Sequence, residues 1–270
     1  MASRVQMFLQ AWTLLGLAVW SASMPEISDV KFIDECVREH NRARSGVSPP
    51  ASDMLYMTWD AGLAITARAW ARHCEFKHNI YLGDVRRVHP TFSSVGENIW
   101  TGAPPSSFDV SRAIQRWVNE TQYYNYQANT CQSICGHYTQ VVWASSYKVG
   151  CAVQRCPNGV EYFTKHEGAL FVCNYATAGN INGRQPYKSE GESGPKCEGT
   201  YKDNLCRSPE RDSQKSYNWT PDWDPVLTLA DTNIGTGYVA TLIIRPVALI
   251  ITFAAAYAVR YFYPDVFCYE

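Results

Sequence analysis

The 270-residue sequence predicts an α+β domain in which helices pack on an antiparallel sheet. Two observations lead to this class. In the first half of the chain, apolar residues recur at the three- and four-residue spacing of amphipathic helices. After Tyr147, extended apolar segments flank the turn signal Asn158–Gly159. The chain therefore has helices first and hairpin-joined strands afterwards.

Three segments have the pattern of helices. The second begins after Asp60, which we expect to cap it, and the third covers residues 110–119, with Ser107 or Asp109 as its cap. The apolar stripes of the three segments are Phe32, Ile33, Cys36, Val37 and His40; Leu63, Ala67, Trp70 and Cys74; and Ile114 and Trp117.

Three later segments have the pattern of strands. They are residues 149–156 (VGCAVQRC), residues 160–163 (VEYF) and residues 169–175 (ALFVCNY). Their β-branched and aromatic residues, and the Asn-Gly turn between the first two, favour hairpins.

Composition and charge exclude two classes of protein. The chain is 46% hydrophobic, which is too apolar for wholesale disorder. Its formal net charge is −1, so it lacks the positive charge on which nucleic-acid binding depends, and we expect no nucleic-acid partner.

The N-terminus predicts export. Arg4 precedes the uncharged residues 5–20, and the small residues 21–23 (SAS) follow. This layout is typical of a secretory signal peptide over residues 1–23, although a buried N-terminal helix is an alternative. An exported chain is expected to hold its ten cysteines mostly as disulfides.

The C-terminal part predicts a stalk and a membrane anchor. Residues 181–235 are rich in Gly, Pro, Ser and charge, with a small knot closed by Cys197 and Cys206, and predict a disordered stalk. The apolar tract at 236–263 predicts a transmembrane helix. It contains Arg245, but the favourable insertion free energy of its apolar residues outweighs the unfavourable insertion free energy of the arginine. Residues 264–270 are then a short cytoplasmic tail, so the chain is expected to be a single-pass type I membrane protein with an extracellular or luminal N-terminal domain.

Four segments resemble motifs of the CAP family, which includes cysteine-rich secretory proteins, insect venom antigens and plant pathogenesis-related proteins. They are HNRARS (40–45), GENIW (96–100), GHYTQVVWASS (136–146) and FVCNYATAGN (171–180). The resemblance implies a three-layer α-β-α sandwich, the CAP domain, over residues 24–180. Thr177 departs from the family pattern, which usually has proline at that turn.

The resemblance also implies a central cleft that holds two histidines and two glutamates. Carried over to this sequence, they are His78, Glu97, Glu120 and His137. Two imidazoles can bind Zn²⁺, with carboxylates orienting them, so a divalent cation, weakly bound Zn²⁺ above all, is the expected ligand. The residues by themselves allow simpler roles: His78 could complement a helix end, and His137 could be a core histidine. Glu97 and Glu120 could cap helices or neutralise those histidines.

Three functions follow from this cleft. The favoured one is a membrane-tethered binding or signalling module with an unidentified extracellular protein partner. The second is a metal-assisted hydrolase of the protease type that uses the same four residues, and the third is an interaction scaffold with a vestigial cleft. A hydrolase needs an activated nucleophile beside its base, or a metal-bound water with an oxyanion stabiliser. Ser145 and Ser146 lack a GxSxG elbow, so an enzyme is the less favoured reading.

An aromatic stretch follows Glu120. Tyr123, Tyr124 and Tyr126 have apolar faces with polar tips, which suit contact with lipid. The stretch resembles the loop that binds sterols in some members of the family, so sterol or another lipid is a second expected ligand. The alternative is that the tyrosines pack on the sandwich and close the cleft.

Seven cysteines fall in the predicted domain, so at least one must be unpaired. The resemblance implies the pairs Cys74–Cys156, Cys131–Cys135 and Cys151–Cys173, which leaves Cys36 as a buried thiol. Asn119 (NET) and Asn218 (NWT) are predicted glycosylation sites.

Overall fold

The structure is a computed structural model that describes residues 24–84, 86–189, 197, 199–227, 250–255, 257–259 and 261–262. The predicted signal peptide (1–23) and cytoplasmic tail (264–270) lie outside these residues, as does most of the predicted anchor. The chain divides into two compact units, Met1–Asp222 and Trp223–Glu270, which are described separately below.

Three helices of the first unit begin at the aspartates that precede them. Helix α1 is Val30–Ser45, α2 is Ala61–Ala71 and α3 is Val110–Val118. Asp29, Asp60 and Asp109 each accept a hydrogen bond from a backbone N–H in the first turn, which satisfies a donor that the helix leaves free. The helical patterns and the caps at Asp60 and Asp109 agree with the sequence predictions.

The remaining helical elements are short. Helix α4 is Gly136–Val141 and α5 is Pro209–Asp212, while Pro105–Ser107 and Asn119–Tyr123 are 3₁₀ turns. The sequence predicted none of these four elements, because each is too short to show a periodic stripe.

A four-stranded sheet forms the centre of the first unit. Its strands are β1 (Thr58–Trp59), β2 (Gly96–Gly102), β5 (Lys148–Cys156) and β6 (Gly168–Ala176), in the spatial order β1-β5-β6-β2. Strand β6 is antiparallel to both neighbours, but β1 runs parallel to β5. The prediction of a purely antiparallel sheet is therefore corrected at this edge.

Two further pairs of short strands lie outside the central sheet. The strands β3 (Tyr124–Asn125) and β4 (Thr130–Cys131) form one hairpin, and β7 (Thr200–Lys202) and β8 (Leu205–Arg207) form another. The strand predicted at residues 160–163 is wrong: Val160 and Glu161 form only isolated bridges, to Thr164 and Glu75.

Helices cover both faces of the sheet. On one face, Gly150 of β5 lies so close to α2 that a Cβ atom would overlap the α2 backbone. On the other face, Phe171 of β6 packs edge-on against Phe32 of α1 and parallel to Trp117 of α3. These contacts give the three layers that the resemblance implied, with the core at the two helix–sheet interfaces.

Disulfides join Cys74 to Cys156, Cys131 to Cys135, Cys151 to Cys173 and Cys197 to Cys206. These are the four expected pairs. Cys36 is a buried free thiol on the core-facing side of α1, and burial raises its pKa well above the usual value.

The predicted boundary between domain and stalk at residue 180 is corrected by the packing of the segment that follows. Tyr187 is 2% exposed and stacks on Tyr126, with ring centroids 4.8 Å apart. Leu205 of β8 is buried, and Tyr217 donates a hydrogen bond to Asp60. The described part of the predicted stalk thus packs on the domain as far as Asp222, whereas residues 190–196, 198 and 228–235 are outside the described residues.

The second unit, Trp223–Glu270, is described only in part. Residues 225–227 are helical, as are residues 250–255, 257–259 and 261–262. Within these ranges and the rest of the described chain, no helix combines the length and apolar character that crossing a bilayer requires.

Candidate functional site

The first pair of predicted cleft residues is His78 and Glu97. His78 follows α2, and its Nδ1 lies 2.9 Å from Oε1 of Glu97 on β2. The Glu97 side chain is 1% exposed, whereas that of His78 is 63% exposed. The hydrogen bond to Glu97 raises the pKa of His78, against the lowering effect of partial burial.

Two further donors hold the Glu97 carboxylate in place. The backbone N–H of Asn79 donates to Oε1 at 2.9 Å, and Asn174 Nδ2 donates to Oε2 at 3.3 Å. A buried carboxylate needs such partners because its desolvation is otherwise costly. The glutamate is therefore fixed by the protein, and the exposed imidazole is oriented by the glutamate.

The second pair is His137 and Glu120. His137 lies in the first turn of α4, and its Nδ1 is 2.6 Å from Glu120 Oε1. Glu120 Oε2 accepts the backbone N–H groups of His137 and Tyr138, so the glutamate also caps α4. The Trp117 ring lies parallel to the His137 ring, with centroids 6.3 Å apart and 10° between the planes.

Asn98 holds the backbone of the second pair, a role that the sequence predictions did not include. It follows Glu97 on the edge strand β2, where successive side chains point to opposite faces. Its Nδ2 donates to the backbone carbonyl of His137 at 3.0 Å. Two consecutive residues of β2 therefore anchor both histidines. In the sequence, the only indication of a role for Asn98 is that it belongs to the GENIW motif.

Asn98 is held in turn by a buried hydrogen-bond chain. Its Nδ2 also donates to the Tyr175 hydroxyl at 3.2 Å, which lies 2.9 Å from His40 Nε2. His40 Nδ1 lies 2.7 Å from the carbonyl of Cys36, and because a carbonyl only accepts, this nitrogen carries the proton. Burial lowers the pKa of His40 to about 4, so His40 is neutral and structural at physiological pH.

The donor set fits a metal ion in its chemistry. Each carboxylate accepts from Nδ1, so Nε2 of His78 and of His137 retains a lone pair, and carboxylate-bound histidines of this kind are typical metal ligands. Across the described residues, no group of three or more His, Cys, Asp or Glu side chains is arranged to hold a metal. The chain supplies two nitrogen donors, and water would complete a Zn²⁺ shell.

The aromatic loop packs largely on the domain. The Tyr126 side chain is buried, and its hydroxyl donates to the Tyr187 carbonyl at 3.0 Å. Tyr124 donates to Asn129 and contacts the ring of Tyr138. Tyr123 is the most exposed of the three tyrosines, at 39%. Tyr124 and Tyr126 therefore pack on the domain, as the alternative to lipid contact proposed.

The two serines near the cleft motif do not form a nucleophile–base pair in this structure. The Ser146 hydroxyl donates to the Thr177 carbonyl at 2.6 Å and accepts from Gln140 at 3.2 Å. Ser145 contributes its carbonyl to a hydrogen bond from Thr177. Both serines serve the turn after β6.

Both predicted glycosylation sites are exposed. Asn119 is the C-cap of α3, and its side-chain oxygen accepts from Gln115 at 2.9 Å. Asn218 lies in the segment that follows α5. Glycosylation at either site stays a prediction.

The fold and the paired residues define a CAP protein: the sequence profile of the cysteine-rich secretory protein family matches residues 37–175, and the chain belongs to this family. The family supports a secretory route for the chain.

Among individual relatives, the chain is 42% identical over 270 residues to glioma pathogenesis-related protein 1 of Mus musculus, covering 93% of this chain and 97% of that protein. It is 47% identical over 219 residues to GLIPR1-like protein 1 of Bos taurus, covering 79% of this chain and 87% of the relative. Of the solved structures, NaASP2 with Zn²⁺ is similar at a TM-score of 0.50 and 26% identity, covering 69% of this chain and 98% of that one.

Proposed function

We propose that this protein is an extracellular binding module in which His78 and His137 bind a divalent cation such as Zn²⁺. One observation carries the proposal: each imidazole gives its Nδ1 to a glutamate and keeps Nε2 for a ligand. This orientation of both histidines is the arrangement expected of metal ligands and their supporting carboxylates.

The other residues of the site would act through the two histidines. Glu97 orients His78 from the interior, Glu120 orients His137 at the start of α4, and Asn98 fixes the His137 backbone. A bound Zn²⁺ would supply positive charge and open coordination positions for an oxygen ligand. The similar protein NaASP2, whose structure was solved with Zn²⁺, supports this choice of ion.

The two alternative functions have less support. Ser146 does not serve as a nucleophile, because it is engaged by Thr177 and Gln140, so a hydrolase would depend on a metal-bound water. The scaffold gives no reason for two separate carboxylate–imidazole pairs. Lipid binding stays a prediction that now depends on Tyr123, and membrane tethering through residues 236–263 stays a prediction from sequence.

A calorimetric titration of the purified full-length chain with Zn²⁺ tests the cation site. The variant His78→Ala/His137→Ala should bind at least about tenfold more weakly than wild type, because both nitrogen donors are lost. Glu97→Gln should weaken binding about 10–100-fold, since the orienting carboxylate is replaced.

His166→Ala is the matched control, because His166 is exposed and does not belong to either pair. Its affinity for Zn²⁺ should equal that of wild type. Equal affinity of the double variant and wild type would overturn the proposal.

A further inference from the structure

A cavity of about 570 Å³ lies at the β1 edge of the sheet, where the segment after β8 packs on the domain. This volume falls within the range of small-molecule sites. None of the four cleft residues lines it. Its lining residues are Asp60, Thr91, Phe92, Tyr147, Lys148, Ser208, Glu210, Arg211, Ser213, Lys215 and Tyr217.

Lys148 is the unusual residue of this cavity. It is 5% exposed, and its Nζ donates to Thr58 Oγ1 at 2.8 Å and to the Ser213 carbonyl at 2.6 Å. Both partners are neutral oxygens, and within the part of the chain that the structure describes Lys148 forms no ion pair. An ammonium group has three donors, so one N–H remains for a ligand.

The two carboxylates that act on Lys148, those of Asp60 and Asp212, are engaged elsewhere, and Glu210 lines the cavity at an exposed position. Asp60 accepts from the Leu63 N–H, from His89 Nε2 and from the Tyr217 hydroxyl. Burial raises the pKa of the Asp60 carboxyl, but hydrogen bonds from these groups outweigh that effect and lower the pKa. Asp60 is therefore ionised at neutral pH. Asp212 pairs with Arg211 at 2.9 Å. These contacts leave the buried ammonium of Lys148 without a directly bound anion.

His89 does not add a positive charge to this cluster. Its Nδ1 accepts the backbone N–H groups of Thr91 and Phe92, so that nitrogen carries no proton. The proton is then on Nε2, which donates to Asp60. The positive groups that line the cavity are therefore Lys148, Arg211 and Lys215.

The rest of the wall is aromatic. Phe92 and Tyr147 contact each other edge-on, with centroids 6.1 Å apart. Tyr217 lines the cavity from the docked segment. Aromatic rings of this kind provide apolar contact area for a flat ligand.

We propose that this cavity binds a small organic anion, in which a carboxylate, sulfate or phosphate head contacts Lys148 and a flat apolar body packs against Phe92, Tyr147 and Tyr217. A buried charge is costly unless it is paired, and an anionic head would supply the partner that Lys148 lacks. Because Arg211 is paired with Asp212, Lys215 is the other positive group without an ion pair in the described part of the cavity wall, and it lies at the exposed side.

The test uses the purified full-length chain and four probes with the same ring system: 2-naphthoate, 2-naphthyl sulfate, 2-naphthyl phosphate and the neutral 2-naphthol. Calorimetry should show that at least one anionic probe binds at least about tenfold more tightly than 2-naphthol, as a charge-assisted hydrogen bond predicts. The ranking of the three anions identifies the preferred head group.

Variants locate the binding. Lys148→Met should weaken the best anionic probe about tenfold or more and leave 2-naphthol nearly unchanged. Lys215→Met, at an exposed position that leaves the core intact, should lower the affinity for the same probe severalfold. This variant stays informative if Lys148→Met fails to fold. Lys31→Met, at an exposed lysine on α1, is the control and should bind like wild type.

Three results would overturn the proposal. They are equal affinity for 2-naphthol and every anion, no measurable binding of any anionic probe at millimolar concentration, and unchanged anion affinity in a folded Lys148→Met variant.

Discussion

The two edges of the central sheet differ in how their charged groups are neutralised. At the β2 edge, each imidazole is hydrogen-bonded to a carboxylate, in the pairs His78–Glu97 and His137–Glu120. At the β1 edge, Asp60 is fully hydrogen-bonded, but the buried Lys148 has only neutral partners. The first edge therefore carries paired charges and the second a buried ammonium with neutral partners, although one sheet supports both.

The reason lies in what covers each edge. Asn98 of β2 bonds to the His137 carbonyl, so the start of α4 covers that edge. Glu120, which caps α4, therefore lies there as well. The strand β1 is only two residues long, and residues after β8 cover it through Tyr217 and Ser213. Edges of sheets need such coverage, and the covering segment determines which charges meet there.

The largest effect we expect is on stability at the β1 edge. Asp60→Ala should lower the free energy of unfolding by about 3 kcal/mol, because it removes the α2 cap and leaves the buried His89 N–H and the Tyr217 hydroxyl without an acceptor. Urea denaturation of the full-length chain measures the loss.

Asp109→Ala is the matched control for Asp60→Ala. Asp109 caps α3 through one bond to Arg112, and its side chain is 41% exposed, so the expected loss is about 1 kcal/mol. If the two variants lose equal stability, Asp60 acts as a cap alone and the network at the β1 edge contributes nothing.

A smaller effect is expected from the hydroxyl that ties the docked segment to the sheet edge. Tyr217→Phe removes the hydroxyl that bonds to Asp60 and contacts Thr91, and should lower the free energy of unfolding by about 1 kcal/mol. Tyr126→Phe, which removes the interior bond to the Tyr187 carbonyl, is the comparison in the same urea experiment. No change in Tyr217→Phe would show that this hydroxyl does not hold the segment.

The smallest effect concerns the protonation of the β2 edge. The hydrogen bond to Glu97 raises the pKa of His78 above its usual value of about 6.5. The stability that this pair contributes is thus fully present below about pH 6.5 and is lost as the pH rises through the raised pKa. Because a metal ligand must be deprotonated, Zn²⁺ affinity should change in the opposite direction and fall as the pH drops through the same pKa.

An NMR titration of the metal-free full-length chain checks this assignment. In Glu97→Gln, the titration midpoint of His78 should move down towards 6.5, because the charge that favours the imidazolium is removed. A His78 midpoint that does not respond to Glu97→Gln would contradict the pairing.

Most errors in the sequence predictions concern segments that fold through distant contacts. The stretch 181–222 looks like a stalk because it is rich in Gly, Pro and Ser, yet Tyr187 is buried against Tyr126, and Tyr217 bonds to a residue 157 positions earlier. A contact over that distance leaves no local pattern. For the same reason, the sequence showed the helical stripes but gave Asn98 and Lys148 no function.

The sequence by itself determined the helices begun by Asp60 and Asp109, the two long strands β5 and β6, and, through its motifs, the family. The motifs also named the members of the two carboxylate–imidazole pairs. Caps and apolar periodicities act within a few residues, so they are visible in the chain before it folds. Only the tertiary structure decided that consecutive residues of β2 hold both histidines, and that Lys148 is buried at the opposite edge without an anion. Those facts depend on which distant segments cover each edge of the sheet, and it is their packing that desolvates the charges and selects their partners.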